Sequence, residues 1–160
     1  MNCVVRVFLI VLSTCVLGCA PKAGPAQGNS SPAATGPAKG FEIKVASIER
    51  VQKWRPTPQG IKGLLLVKGV SLVLGEGYVA DKGYELVVVH LNIKRVAAGA
   101  TLPLTEVAAF DDKAEKHLTV YDYEPLGKEA DEPRDFIFAV KTGTPLKKLQ
   151  LAPDVSIDLP

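Results

Sequence analysis

Residues 84–94 read YELVVVHLNIK. On an extended chain Val87, Val89, Leu91 and Ile93 share one face, and Val88, His90, Asn92 and Lys94 share the other. That is the two-residue period of a strand with one side turned to a core. Such a strand needs partners, and the rest of the chain supplies them. Phe41, Ile43 and Val45 alternate with Glu42, Lys44 and Ala46. Short aliphatic runs at 64–67 and 70–74 are split by Lys68-Gly69. Residues 105–110 and 117–123 predict a hairpin closed by Asp111-Asp112-Lys113-Ala114-Glu115. Phe136, Phe138 and Val140 alternate with Ile137 and Ala139, and Leu146, Leu149, Leu151, Val155, Ile157 and Leu159 follow. No long amphipathic helix is evident; a helical turn within 102–110 would be limited by Pro103. Prolines 56, 58, 125, 133, 145 and 153 punctuate the gaps. Many short strands separated by turn signals predict an all-β antiparallel β-sandwich of about seven to eight strands.

The 120 residues of 41–160 suffice for one such domain. In front of them, residues 20–40 read APKAGPAQGNSSPAATGPAKG, without an aromatic or large aliphatic side chain. Such a stretch cannot bury enough apolar surface to offset its conformational entropy, so residues 19–40 are expected to be a disordered tether. Its root-mean-square span would be on the order of 25 Å. Further forward, residues 7–17 form an apolar run broken only by Ser13 and Thr14, behind a basic start that includes Arg6. As a helix this run would reach about 16 Å. A bilayer core is about 30 Å thick, so the run reads as a secretory signal over residues 1–18 rather than a span.

The run stops at Val16-Leu17-Gly18-Cys19, which resembles the lipobox of bacterial lipoproteins. The resemblance implies cleavage between Gly18 and Cys19, a diacylglycerol on the Cys19 thiol, and acylation of the new amine by a fatty chain such as palmitate. Two or more chains are what stable membrane attachment takes. The same resemblance implies that Ala20, standing where an Asp would oppose export, directs the chain to the outer membrane, facing the periplasm or the cell surface, in a bacterium with two membranes. Cleavage also removes Cys3 and Cys15, so the domain is expected to fold without disulfides. With Arg6 gone, eighteen Lys and Arg face seventeen Asp and Glu. That balance argues against a nucleic-acid partner, which needs clustered basic excess.

The order of elements in 41–159 is similar to the immunoglobulin-like domains of the immunoprotective extracellular group of small bacterial lipoproteins. FEIKVASIERV, GYELVVVHLNIKR, VAAFDDKAEKHLTVY and DFIFAV followed by LKKLQL carry the likeness. It implies an immunoglobulin-like sandwich serving as a binding or surface module, with no agreed enzyme activity. Ala114 stands near a place where glycine is often seen, and the stretch 60–77 is long for the group.

Few residues suggest chemistry. His90 and His117 are the only histidines, and no HxH, HxxxH or HExxH occurs. Zinc wants three or four ligands, so both are expected to be ordinary surface residues and no metal site is predicted. Asp111, Asp112 and Glu115 crowd one turn and could gather calcium, though no EF-hand pattern is present; solvation of a hairpin tip is the plainer role. Glu124, Glu129, Asp131, Glu132 and Asp135 read as a solvated acidic loop. Gly75-Glu76-Gly77 lacks the helix a phosphate loop needs, no GxSxG elbow exists, and nothing calls for a cofactor. Trp54 is the one residue suited to stack on a ligand, although a lone Trp after a first strand more often plugs or lids a core.

The sequence thus predicts a lipid-anchored cell-envelope protein with a non-catalytic binding or accessory module. Its partners would be the membrane, through Cys19, and an unidentified protein or small molecule near Trp54 or near Asp111, Asp112 and Glu115. A structural subunit of an envelope complex is the alternative, and a small metal-dependent or hydrolytic enzyme the third. Each makes a distinct demand. A subunit would expose an apolar patch. An enzyme would bring a histidine to a carboxylate in a cleft.

Overall fold

A computed structural model describes residues 35–38, 40–56, 61–127 and 131–160. The signal, Cys19 and residues 20–34 lie outside these. Among the described residues there are thirteen strands and no helix. In chain order they are β1 (Thr35–Ala38), β2 (Phe41–Val51), β3 (Lys53–Trp54), β4 (Ile61–Leu64), β5 (Val70–Val73), β6 (Gly77–Ala80), β7 (Tyr84–Arg95), β8 (Ala108–Asp111), β9 (Lys116–Leu118), β10 (Tyr121–Tyr123), β11 (Asp131–Lys141), β12 (Leu146–Ala152) and β13 (Val155–Asp158).

Two four-stranded antiparallel sheets form the sandwich, ordered β1-β2-β7-β11 and β13-β12-β8-β9. Setting β1 and the short strands aside, the first, second and fifth strands share one sheet; the third, fourth, sixth and seventh share the other. That is immunoglobulin-like connectivity. The chain after β9 also crosses to the outer edge of β11, where Thr119 bridges Phe138 and Val120 N–H donates to Ile137 C=O at 2.9 Å. The expected all-β sandwich is therefore what the chain forms, and the eight strands of the two larger sheets match the expected number. The remaining five strands make two small sheets, β3-β6-β5 and β10-β4.

The interior is filled by Val87, Val89, Leu91 and Ile93 of β7 with Phe136, Phe138 and Val140 of β11. Ala109, Leu149, Leu151 and Ile157 meet them from the second sheet. At one end, buried Glu85 accepts a hydrogen bond from Gly143 N–H at 2.8 Å and pairs with Arg50. Burying roughly a dozen such side chains, at about 1.5–3 kcal/mol each, accounts for a fold that needs no disulfide.

Three expectations need correction. The second face of β7 is not wholly polar: Leu86 and Val88 are fully buried, as is Ile137 beside Val88. The small sheets lie over that face, bringing Trp54, Tyr78 and Ile61 onto it. Thr35–Ala38, expected within the disordered stretch, forms a strand that pairs with Lys44 to Phe41 of β2. Ladder hydrogen bonds need no apolar side chains, so composition gives no sign of this strand. Residues 102–110 contain no helical turn; Leu102 bridges Leu126 instead.

One irregularity sets the register of β2. Val45 pairs with Leu91 and Ser47 with His90, so Ala46 is an extra residue. This bulge lets Val45 and Ile48, three apart, both face the core. It also places Ser47 and Glu49 on the outer face beside His90.

Candidate functional site

The outer face of the first sheet carries the most chemistry. His90 of β7 lies opposite Asp135 of β11 and Ser47 of β2. Opposed residues of antiparallel strands share a face. His90 Nδ1 lies 2.7 Å from Asp135 Oδ1, a short charge-assisted hydrogen bond. With the Nδ1 proton donated to that carboxylate, Nε2 is the open nitrogen. It lies 3.6 Å from Glu49 Oε1, beyond hydrogen-bond range. Nε2 is shut off from solvent with no hydrogen-bond partner among the described residues, Glu49 being its charged neighbour. The Trp54 ring packs beside the imidazole, tilted by 59° with centroids 5.9 Å apart.

Beside this pair opens a cleft of about 190 Å³, lined by Trp54, Pro56, Ile61, Tyr123, Arg134 and Asp135 among others. β3 brings Trp54, β4 brings Ile61, β10 brings Tyr123, and β11 brings Arg134 and Asp135. Tyr123 Oη donates to Asp135 C=O at 2.9 Å, locking the wall. Burial holds the Tyr123 phenol well above its usual value, so it stays a neutral donor. Tyr121 and Tyr78 are pushed up by burial in the same way, and their rings meet edge-on at 4.9 Å behind the wall. Arg134 spends one guanidinium nitrogen on Glu132 at 2.9 Å. Its Nε is enclosed without a hydrogen-bond partner among the described residues. Asp135 is the partly exposed charge of the cleft.

Trp54 therefore both packs beside His90 and lines an opening. Neither histidine is an isolated surface residue, which corrects the sequence reading. His117 Nε2 lies 3.3 Å from Asp111 Oδ2. The pairings escaped sequence analysis because Asp135 is 45 residues from His90 and only strand register joins them. The acidic stretch is corrected too. Its described part begins β11 at Asp131, and Glu132 is buried against Arg134 rather than solvated. Glu129 lies outside the described residues.

The turn after β8 behaves differently from the expected solvated tip. Asp111 is buried, and its Oδ1 accepts Lys113 N–H at 2.9 Å and Glu115 N–H at 2.8 Å. Burial pushes the Asp111 carboxyl up. The Glu115 and Lys113 amides and the His117 ring outweigh that, and the group lies below its ordinary value. Asp111, Glu115 and His117 bring one donor atom each to within 4.8 Å of one another, whereas Asp112 is exposed and outside the group. His117 thus joins the two carboxylates, a neighbour that the crowding of Asp111, Asp112 and Glu115 did not reveal, and a mixed nitrogen–oxygen set suits zinc better than calcium. The same hydrogen bonds also account for Asp111 as a staple that closes the turn. Glu115 and His117 border a second, open hollow of about 370 Å³, shared with Leu66, Lys68 and Lys141.

The fold and these sites define an immunoglobulin-like β-sandwich with a histidine–aspartate pair on one outer face. No family model matches the chain, and no curated protein matches it. Among solved structures it is similar to an uncharacterized β-sandwich protein from Clostridium difficile 630. The two share 15% identity and a TM-score of 0.43 over 73% of this chain and 82% of that one. A likeness of that degree transfers no residue role.

Proposed function

We propose that the protein is a lipid-anchored cell-envelope protein whose sandwich is a non-catalytic binding module, with the Trp54 cleft as its ligand site. The anchor half rests on Val16-Leu17-Gly18-Cys19 behind a short apolar run. The binding half is carried by one observation: an aromatic ring and a charged carboxylate, Trp54 and Asp135, border the same small cleft. A flat apolar wall beside fixed polar groups suits a small polar ligand with a planar or ring face.

The geometry favours binding over turnover. A general base needs an open nitrogen in reach of substrate, and His90 Nε2 is closed off from solvent beside Trp54. Among the described residues no hydroxyl or thiol is hydrogen-bonded to either imidazole; each meets a carboxylate. A histidine beside a carboxylate in a cleft is nonetheless what the enzyme reading asked for. The closure of Nε2 is the feature that sets it aside.

The second reading, a subunit of an envelope complex, is favoured by the exposed Leu64, Leu65, Leu66, Leu72, Val73 and Leu74.

Thermal unfolding against a panel of envelope saccharides and short peptides tests the binding half. A ligand at about a hundredfold excess over its Kd adds about 2.7 kcal/mol of stability. At least one compound is expected to raise the Tm of the natural protein and to lose that effect with Trp54→Ala. No response from the whole panel, or a response unchanged in Trp54→Ala, contradicts the cleft as the site.

A further inference from the structure

β5 is an edge strand: in the order β3-β6-β5 it has no second partner among the described residues. Its ladder with β6 is regular, pairing Val70 with Ala80, Ser71 with Val79, Leu72 with Tyr78 and Val73 with Gly77. Asp81 N–H donates to Gly69 C=O at 2.9 Å, which sets the alternation. Odd-numbered residues spend their backbone groups on β6, and the N–H and C=O of Val70 and Leu72 point outward. Protein edges are usually guarded by a charge, a proline or a bulge. β5 has none of these. Its one polar side chain, Ser71, is committed to Asp81 at 2.8 Å. Leu72 is 58% exposed and Leu74 98% exposed.

We propose that β5 pairs with β5 of a second copy of this chain, antiparallel, about a two-fold axis through Leu72. The sequence across the edge is self-complementary in that register. Leu72 faces the partner's Leu72 and Val70 faces the partner's Leu74. Lys68 faces the partner's Glu76, so opposite charges flank an apolar centre on both sides. Glu76 already pairs with Lys53 within its own chain, and Lys68 is exposed. The outward backbone groups that this register pairs at its centre are those of Val70 and Leu72; Leu74 and Glu76 lie in the turn after β5, where Glu76 N–H donates to Val73 C=O at 3.0 Å, and they meet the other copy through their side chains. Moving the register by one residue turns Lys68 onto the uncharged Gly75 of the other copy and calls on groups already bonded to β6. Pairing at Leu72 joins the three-stranded sheets of the two copies into one of six strands, ordered β3-β6-β5-β5-β6-β3. It covers leucines that water otherwise surrounds, which is where an isologous contact gains most.

The register makes a positional demand. Hydrogen-bonded antiparallel partners have Cα atoms about 5.5 Å apart, within the span a disulfide bridges. Leu74 and its symmetry mate are displaced by two residues on each strand, roughly 14 Å along the strands, beyond that span. The test uses the full chain in cells that make it, with mild oxidation and non-reducing electrophoresis. Leu72→Cys is expected to give a covalent dimer absent from Leu74→Cys and from the natural chain, whose own cysteines set the background. Sedimentation of the purified protein is expected to show a dimer mass that falls to monomer with Leu72→Lys while circular dichroism is unchanged. A monomeric natural protein overturns the proposal. So does equal crosslinking at 72 and 74, or capture of Leu72→Cys by a different protein or a lipid surface without dimer.

Discussion

Asp111 shows how one side chain sets a local structure. Its carboxylate replaces backbone partners for two turn amides and steadies His117. Because its folded value lies below the ordinary carboxyl value, the stabilisation is present above that ordinary value, about 3.9. It is lost as the pH falls through the lower, folded value. Unfolding midpoints measured from neutral to strongly acid pH check this. The natural protein should exceed Asp111→Asn at neutral pH, and the gap should close on the acid side. A gap that stays constant over the whole range contradicts the assignment. At this scale the sequence was only half legible. The crowding of Asp111, Asp112 and Glu115 is visible in one short string. Which carboxylate turns inward is not, because that depends on where β8 ends and β9 begins.

The elements were more legible. β2, β7 and β11 announce themselves by alternation, and the hairpin of β8 and β9 falls where the acidic turn predicted it. What alternation missed is burial on the second face of β7. A polar-looking string of Val88, His90, Asn92 and Lys94 hides a strand covered at one end and open at the other. The small sheets that cover it come from the long stretch between β2 and β7, joined by β10 from beyond β9, and no local pattern reveals their position. The hairpin also carries strain that can be read now. Ala114 has φ +60°, the left-handed region that suits glycine. Ala114→Gly removes a Cβ clash at the cost of extra freedom in the unfolded chain, for a net gain of about 0.5–1 kcal/mol. Urea denaturation should show that gain. A loss would mean that the turn does not hold this conformation in solution.

At the scale of the molecule, a disulfide-free sandwich carries two distinct outer features at opposite edges of the β3-β6-β5 sheet, where β3 lends Trp54 to the cleft and β5 is the free edge. The Trp54 cleft is a shaped, partly polar hollow over His90 and Asp135, and the β5 edge is an apolar strip with outward backbone groups. One suits a small ligand and the other a second copy, so binding and assembly need not compete. Neither was placed by sequence alone. Trp54 stood out as a residue type, but its neighbours are assembled from β3, β4, β10 and β11. The leucines read in the sequence only as short aliphatic runs, and which of them stay exposed depends on what packs over them. The proposed address ties these features to a membrane through residues outside the described part of the chain. Cys19→Ser is expected to leave the precursor unlipidated and uncut, which intact mass shows as a chain that keeps residues 1–18 and carries no lipid. The most direct measurement is the intact mass of the protein extracted from the membranes of cells that make it, with fragmentation of its first peptide. The account predicts a chain beginning at Cys19 with a diacylglycerol on sulfur; an unmodified thiol there, or any other first residue, contradicts it.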